Sequence, residues 1–168
     1  MKSLTREELA GLLEQARQKS ELDWLMLLVG FNHGLRISEI LDLGPSDISG
    51  NYLIVERLKK SRKTTQPLME DEKHALLALA TTRGKFFPIS RMTAWRRIQE
   101  YGEKAGIAKH KLHPHILKHT CGRLAYLGGA GLPDIQTWLG HKNGGNTMKY
   151  MESTEDEAAQ AFAAAVGK

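Results

Sequence analysis

Leu9, Leu12, Leu13 and Ala16 recur at the three- and four-residue spacing of one helix face, with mostly polar residues between them. Thr5-x-x-Glu8 just ahead of them is a capping box, in which each side chain can satisfy a backbone donor left unpaired at a helix start. Together they predict a helix over 5–18. Trp24, Leu25, Leu28, Val29 and Phe31 predict a second helix over 21–33, apolar enough to be buried on most sides. Gly34 stops it. Arg36-Ile-Ser-Glu-Ile-Leu-Asp-Leu then begins a short third helix, which mounts Arg36 rigidly at a helix start.

Pro45, Asp47, Ser49, Gly50 and Asn51 read as loop, and Tyr52-Leu-Ile-Val-Glu-Arg-Leu as a strand from its apolar and β-branched content. Thr64-Thr-Gln-Pro-Leu can return as a second strand. Further helices are predicted over 70–81 and 91–105, then from Pro114 to 127 before Gly128-Gly129, and from Pro133 to near Gly140. Asn146 to Met151 and the alanine-rich 158–166 complete the helical set. The fold class is mixed α/β, mainly α-helical with a small antiparallel β-hairpin or sheet, and the length of 168 residues suits one domain.

Charge changes this picture in one place. The net charge is +5, and Arg57, Lys59, Lys60, Arg62 and Lys63 crowd the turn between the two strands. Such a cluster repels itself and gains free energy by displacing counterions from a polyanion, although a solvated basic surface has the same composition. Arg91, Arg96 and Arg97 give the 91–105 helix a positive side that could lie along a phosphate backbone. The single cysteine, Cys121, excludes an internal disulfide or a metal-thiolate cluster and fits a reducing cytoplasm. No apolar run reaches the roughly 18 residues of a membrane span, and the N-terminus does not read as a signal sequence.

The candidate chemistry lies late in the chain. His115, Lys118 and His119 fall within one helical turn, so that His115 and Lys118 share a face; His141 follows Gly140, and Tyr150 comes nine residues later. Taken singly, each histidine can be structural and the tyrosine a surface or interface residue. Taken together with Arg36 and a hairpin lysine, they supply what covalent cleavage of a phosphodiester needs. A phenol attacks phosphorus, cations stabilise the charge growing on the other oxygens, and an acid protonates the leaving hydroxyl. Glu39, three residues after Arg36, is suited to orient it. No carboxylate set suggests a metal, and no cofactor is expected.

Gly34-Leu-Arg-Ile-Ser-Glu39, His115-Ile-Leu-Lys-His-Thr120, Ile135-Gln-Thr-Trp-Leu-Gly-His141 and Thr147-Met-Lys-Tyr150 resemble, in order and spacing, the motifs of the tyrosine recombinase (phage-integrase) catalytic domain. Arg57-Leu-Lys-Lys, Thr64-Thr-Gln-Pro-Leu68 and His113-Pro-His115 look most like the small recombinases that invert fimbrial promoter segments. The resemblance implies that Arg36 holds nonbridging oxygens of the scissile phosphate. Lys59, eight residues before Pro67, would protonate the departing 5′ oxygen, with Lys60 as the natural substitute. His115 would assist proton transfer from the tyrosine, His141 would hydrogen-bond the phosphate, and Tyr150 would be the nucleophile.

One position departs from the pattern: Lys118 stands where the family has a second arginine. An ammonium keeps the sign of the charge but not the planar fork that can hold two oxygens. The resemblance further implies double-stranded DNA as partner, a bacterial cytoplasm as location, and a tetramer on paired sites, with the segment 155–166 a candidate for packing on a neighbouring copy or, equally, on its own chain. The family generally places a DNA-clamping domain ahead of the catalytic one. Here the first helix begins at residue 5, so 1–168 is expected to be catalytic domain throughout. A DNA-binding relative weakened by Lys118, and a type IB topoisomerase-like nicking and sealing enzyme, are the alternatives.

Overall fold

The Thr5 box forms as its residues require. The Thr5 hydroxyl accepts from the Glu8 amide at 3.1 Å, and the Glu8 carboxylate accepts from the Thr5 amide at 2.9 Å. They start α1 (Arg6–Lys19), whose Leu9, Leu12 and Ala16 are buried. This computed structural model describes residues 3–57, 62–81 and 84–152, and the single positions 159, 163 and 166. Ser20 ends α1 and caps α2 (Glu21–Asn32) by accepting from the Asp23 amide at 3.2 Å. From Leu25 to Gly30 every residue of α2 is buried, because the helix packs against α1, α3 (Ile37–Asp42), α4 (Glu70–Leu79) and α6 (Ile116–Leu127).

Three short antiparallel strands, β1 (Ile48–Ser49), β2 (Tyr52–Val55) and β3 (Thr64–Pro67), form one sheet in that order. Ser49 pairs with Tyr52 around Gly50-Asn51, and Val55 pairs with Thr64. The sequence places 48–49 in a loop, since two residues are too few to show an alternation. The strand expected to run on through Arg57 stops at Val55, where the chain carries Arg57 inward.

Ser90 caps α5 (Arg91–Lys104), which packs on α1 and α3 and buries Ala94, Ile98 and Tyr101. The helix expected from Pro114 begins two residues later. Pro114 instead occupies a turn closed by the Ile116 amide donating to the His113 carbonyl at 3.0 Å, a position where a fixed φ is favourable. Next come α7 (Leu132–Trp138), α8 (Gly145–Met148) and a 3-10 turn over Lys149–Met151. That turn packs on α6 and closes a second small core of Cys121, Ile135, Leu139 and Tyr150. Positions 159, 163 and 166 are helical and exposed. Among the described residues no helix is long and apolar enough to cross a membrane.

Candidate active site

Gly34 has φ +59°, a conformation that lets the chain reverse after α2 and that side chains with a Cβ adopt only at a cost. A Cβ there would also strike the Leu139 side chain. The reversal delivers Arg36 as the N-cap of α3. Its backbone amide donates to Glu39 Oε2 at 2.8 Å and its Nη1 to Glu39 Oε1 at 2.9 Å. Burial pushes the Glu39 carboxyl up, but the Arg36 amide and the charges of Lys118, Arg57 and Arg36 outweigh it and hold Glu39 below the ordinary carboxylate value.

Arg57 corrects the expectation of an exposed basic run. It is 8% exposed. Its guanidinium donates to the carbonyls of Gly34 at 2.8 Å, His33 at 2.9 Å and Trp138 at 2.8 Å, and to Thr64 Oγ1 at 3.3 Å, with Glu39 at 3.5 Å. It ties the hairpin to the ends of α2 and α7 rather than facing a partner. Arg62 and Lys63 are exposed, and Lys63 pairs with Glu56 at 2.6 Å. The Arg62 amide donates to the Gly140 carbonyl, which docks the returning hairpin beside His141. Lys59 and Lys60 lie outside the described residues.

Lys118 is buried at 3% exposure, and among the described residues its side-chain nitrogen has one hydrogen bond, to the Leu139 carbonyl at 2.9 Å. Burial, and then the neighbouring Arg57 and Arg36 charges against the opposing pull of Glu39, push it down to about 7. His141, also buried, meets Thr147 Oγ1 through Nδ1 at 3.0 Å. Burial and the Lys118, Arg36 and Arg57 charges lower it to about 4, so the ring is neutral at pH 7.

His115 is the N-cap of α6 rather than part of it. Its ring lies 6.0 Å from that of His119, and His113 lies 5.0 Å from His119 on another side. His119 is lowered to about 4, by burial first and then by His113, His115 and nearby lysines, and its buried Nδ1 has no hydrogen-bond partner among the described residues.

Tyr150 is 2% exposed, not a surface residue. Its ring stacks on His141 with centroids 6.2 Å apart and meets His119 edge-on at 6.3 Å. Gly122 on α6 makes the slot, since a Cβ there would lie 2.6 Å from Tyr150 Cζ. Arg123 Nη1 donates to the Tyr150 carbonyl at 2.6 Å. Burial raises the phenol well above its ordinary value, with Arg36 opposing. Neither Gly122 nor Arg123 is visible as functional from spacing, because each acts on a residue 27 or 28 positions away.

Of the α5 arginines, Arg91 and Arg96 are exposed, whereas Arg97 turns back to pair with Asp23 at 2.5 Å. Arg97 therefore corrects the expectation of a uniformly free basic side. Among the described residues no group of three or more His, Cys, Asp or Glu could hold a metal ion.

A mainly helical domain with one small antiparallel sheet is the catalytic-domain fold of tyrosine recombinases. Residues 2–157 match the Phage integrase family, and the chain belongs to that family, whose members break and rejoin DNA. It is 33% identical over 148 residues to Type 1 fimbriae regulatory protein FimE of Escherichia coli (strain K12), covering 78% of this chain and 74% of the relative. To FimB of the same strain it is 33% identical over 168 residues, covering 89% and 84%. The crystal structure of XerA recombinase superposes with a TM-score of 0.79 at 22% identity, over 99% of this chain and 65% of that one. The catalytic domain of bacteriophage HP1 integrase gives 0.76 at 21%, over 96% and 94%. XerH recombinase bound to palindromic difH substrate, in a post-cleavage complex, gives 0.76 at 18%, over 96% and 52%.

Proposed function

We propose that this protein cleaves and rejoins double-stranded DNA at a specific site through a 3′-phosphotyrosine on Tyr150, in the service of inversion, excision or integration. The observation that carries this reading is the excess of cations around one carboxylate beside a buried phenol. Arg36, Arg57 and Lys118 all act on Glu39, and Tyr150 sits against two neutral imidazoles. A phosphodiester brought to Arg36 and Lys118 would neutralise that excess.

In the proposed reaction the Tyr150 oxygen attacks phosphorus, the Tyr150 O–P bond forms and the P–O5′ bond breaks. A phenol whose burial disfavours ionisation needs a base as it attacks, and His115, or its neighbour His119, whose ring is neutral, supplies one. In the tautomer in which Nδ1 accepts from the Thr147 hydroxyl, His141 carries its proton on Nε2 and can donate it to a phosphate oxygen. Lys59 gives a proton to O5′. Attack by a 5′ hydroxyl of another strand then reverses the step and reseals the DNA. Exposed Arg62, Lys63, Arg91 and Arg96 would add phosphate attraction, and the reading includes self-association on paired sites, as a tetramer; most of the 155–166 segment lies outside the described residues.

The single hydrogen bond of Lys118 among the described residues favours a second reading, in which the chain binds DNA but cleaves it slowly. Incubation with a nicked suicide duplex carrying the native site separates the two. A competent enzyme accumulates a covalent adduct that Tyr150→Phe abolishes while DNA binding persists. Adduct formation by Tyr150→Phe would remove Tyr150 as nucleophile, and no adduct from the unaltered chain would leave the binding-only reading.

A further inference from the structure

Arg57 and Lys118 are both buried basic side chains, and only one of them is provided for as a cation. Arg57 has acceptors at Nε and at both terminal nitrogens. An ammonium at Lys118 would present three donors, and among the described residues it has one acceptor, the Leu139 carbonyl, and no ion pair. The groups that face it come from every element around it. They are Arg36 and Glu39 of α3, Arg57 of the hairpin, Cys121 and His119 of α6, and His141 after α7. Glu39 is already engaged. Its Oε1 accepts from the Arg36 guanidinium, and its Oε2 accepts from the Arg36 amide and lies 3.5 Å from Arg57. A charged Lys118 would therefore be a third cation about one carboxylate, desolvated and short of acceptors, whereas a neutral amine with two donors is nearly satisfied.

We infer that Lys118 is a proton-coupled phosphate ligand, neutral in the free protein at mildly alkaline pH and protonated as the phosphate group enters. This rests on the phosphodiester reading above and deepens it. The entering anion brings the missing counter-charge and the missing acceptors together, and the proton is taken from solvent and returned when the anion leaves. An arginine could not act in this way, because a guanidinium stays charged at every relevant pH. Lysine at this position then links occupancy of the clamp to pH. Its depressed value, about 7, places the switch where small changes of pH alter it.

The test is a pH titration of the lysine side-chain ε-carbon resonances of the intact chain by NMR, with Lys118→Arg, and independently Lys118→Met, identifying the signal. One lysine is expected to titrate near 7, well below the ordinary 10.5, and to vanish in both variants. Rising sulfate, a tetrahedral anion that does not itself titrate in this range, should move its midpoint up by about one pH unit or more, which is a tenfold preference for the charged form. Lysines that all titrate in the ordinary range would overturn the proposal, as would a low-titrating Lys118 that ignores sulfate. Should one variant not fold, the other assigns the signal. Covalent trapping is read separately, so a sulfate-dependent shift without an adduct supports the coupling while sinking the cleavage reading.

Discussion

Two buried polar centres lie on either side of the α7 terminus, and they are built on opposite terms. In the first, His33 Nδ1 meets Gln66 Oε1 at 2.6 Å and Nε2 meets Glu72 Oε1 at 2.5 Å, while Gln66 Nε2 donates to the Trp138 carbonyl at 2.6 Å. Glu72 also accepts from the Met69 amide and from Asn32, and the His33 ring stacks on Trp138. Every polar atom named there has a partner inside the protein. In the second centre, among the described residues, Lys118 has one bond and His119 Nδ1 has none. A complete network specifies a fold, and an incomplete one leaves free energy to be gained by a ligand.

The sharpest way to break the comparison is to delete a partner from the complete centre. Glu72→Ala strands His33, and loss of one member of a buried pair should destabilise by about 3–5 kcal/mol. The urea midpoint should fall with the slope unchanged. A loss under about 1 kcal/mol would mean that the first centre is not structural.

Lys118→Met tests the other side. It replaces an under-satisfied basic end by an apolar chain of similar length, so stability should hold or rise. Single-turnover cleavage should fall by on the order of a hundredfold, about 3 kcal/mol in the transition state. A variant that loses stability and cleavage equally would move Lys118 into the scaffold.

The comparison also has a pH dependence with a definite sign. Lys118 is lowered from 10.5 to about 7, so between those values the unfolded chain binds more protons than the folded one. The stability of the unaltered chain should therefore rise with pH through that window relative to Lys118→Met, by at most about 1.4 kcal/mol per unit. A difference that stays constant across the window would show Lys118 charged when folded.

The smallest effects belong to the surface. Arg96→Ala should reduce the salt slope of DNA binding by about 1 and leave unfolding unchanged, while Arg97→Ala should lower stability by releasing Asp23. Equal behaviour of the two would erase the distinction between outward and inward arginines on α5.

Much of the architecture was legible because it is local. The capping box at Thr5, the apolar face at Leu9 and Leu12, and the break at Gly34 all act within one or two helical turns. What could not be read depends on contacts between distant residues. Arg57 sits in a basic run that looks like a polyanion-binding surface, yet its acceptors are the carbonyls of His33, Gly34 and Trp138, which only the fold assembles. Pro114 signals a helix start and a turn equally well, and the His113 carbonyl decides for the turn. The site motifs were legible as residue types, but the depth of Tyr150 was not, since it depends on an absent side chain at Gly122.

Tyr150 is located by features that any para-substituted or unsubstituted six-membered ring shares. Arg123 holds its main-chain carbonyl, and Gly122 accommodates its ring. Neither contact involves the hydroxyl. Address and reactivity are thus separate properties of this side chain, and the acidity of the oxygen can be varied without moving the ring that bears it. Ring-fluorinated tyrosines installed at position 150 would turn the acidity of the proposed nucleophile into an experimental axis, along which the slope of cleavage rate would report how far the proton has travelled when the new bond to phosphorus is made.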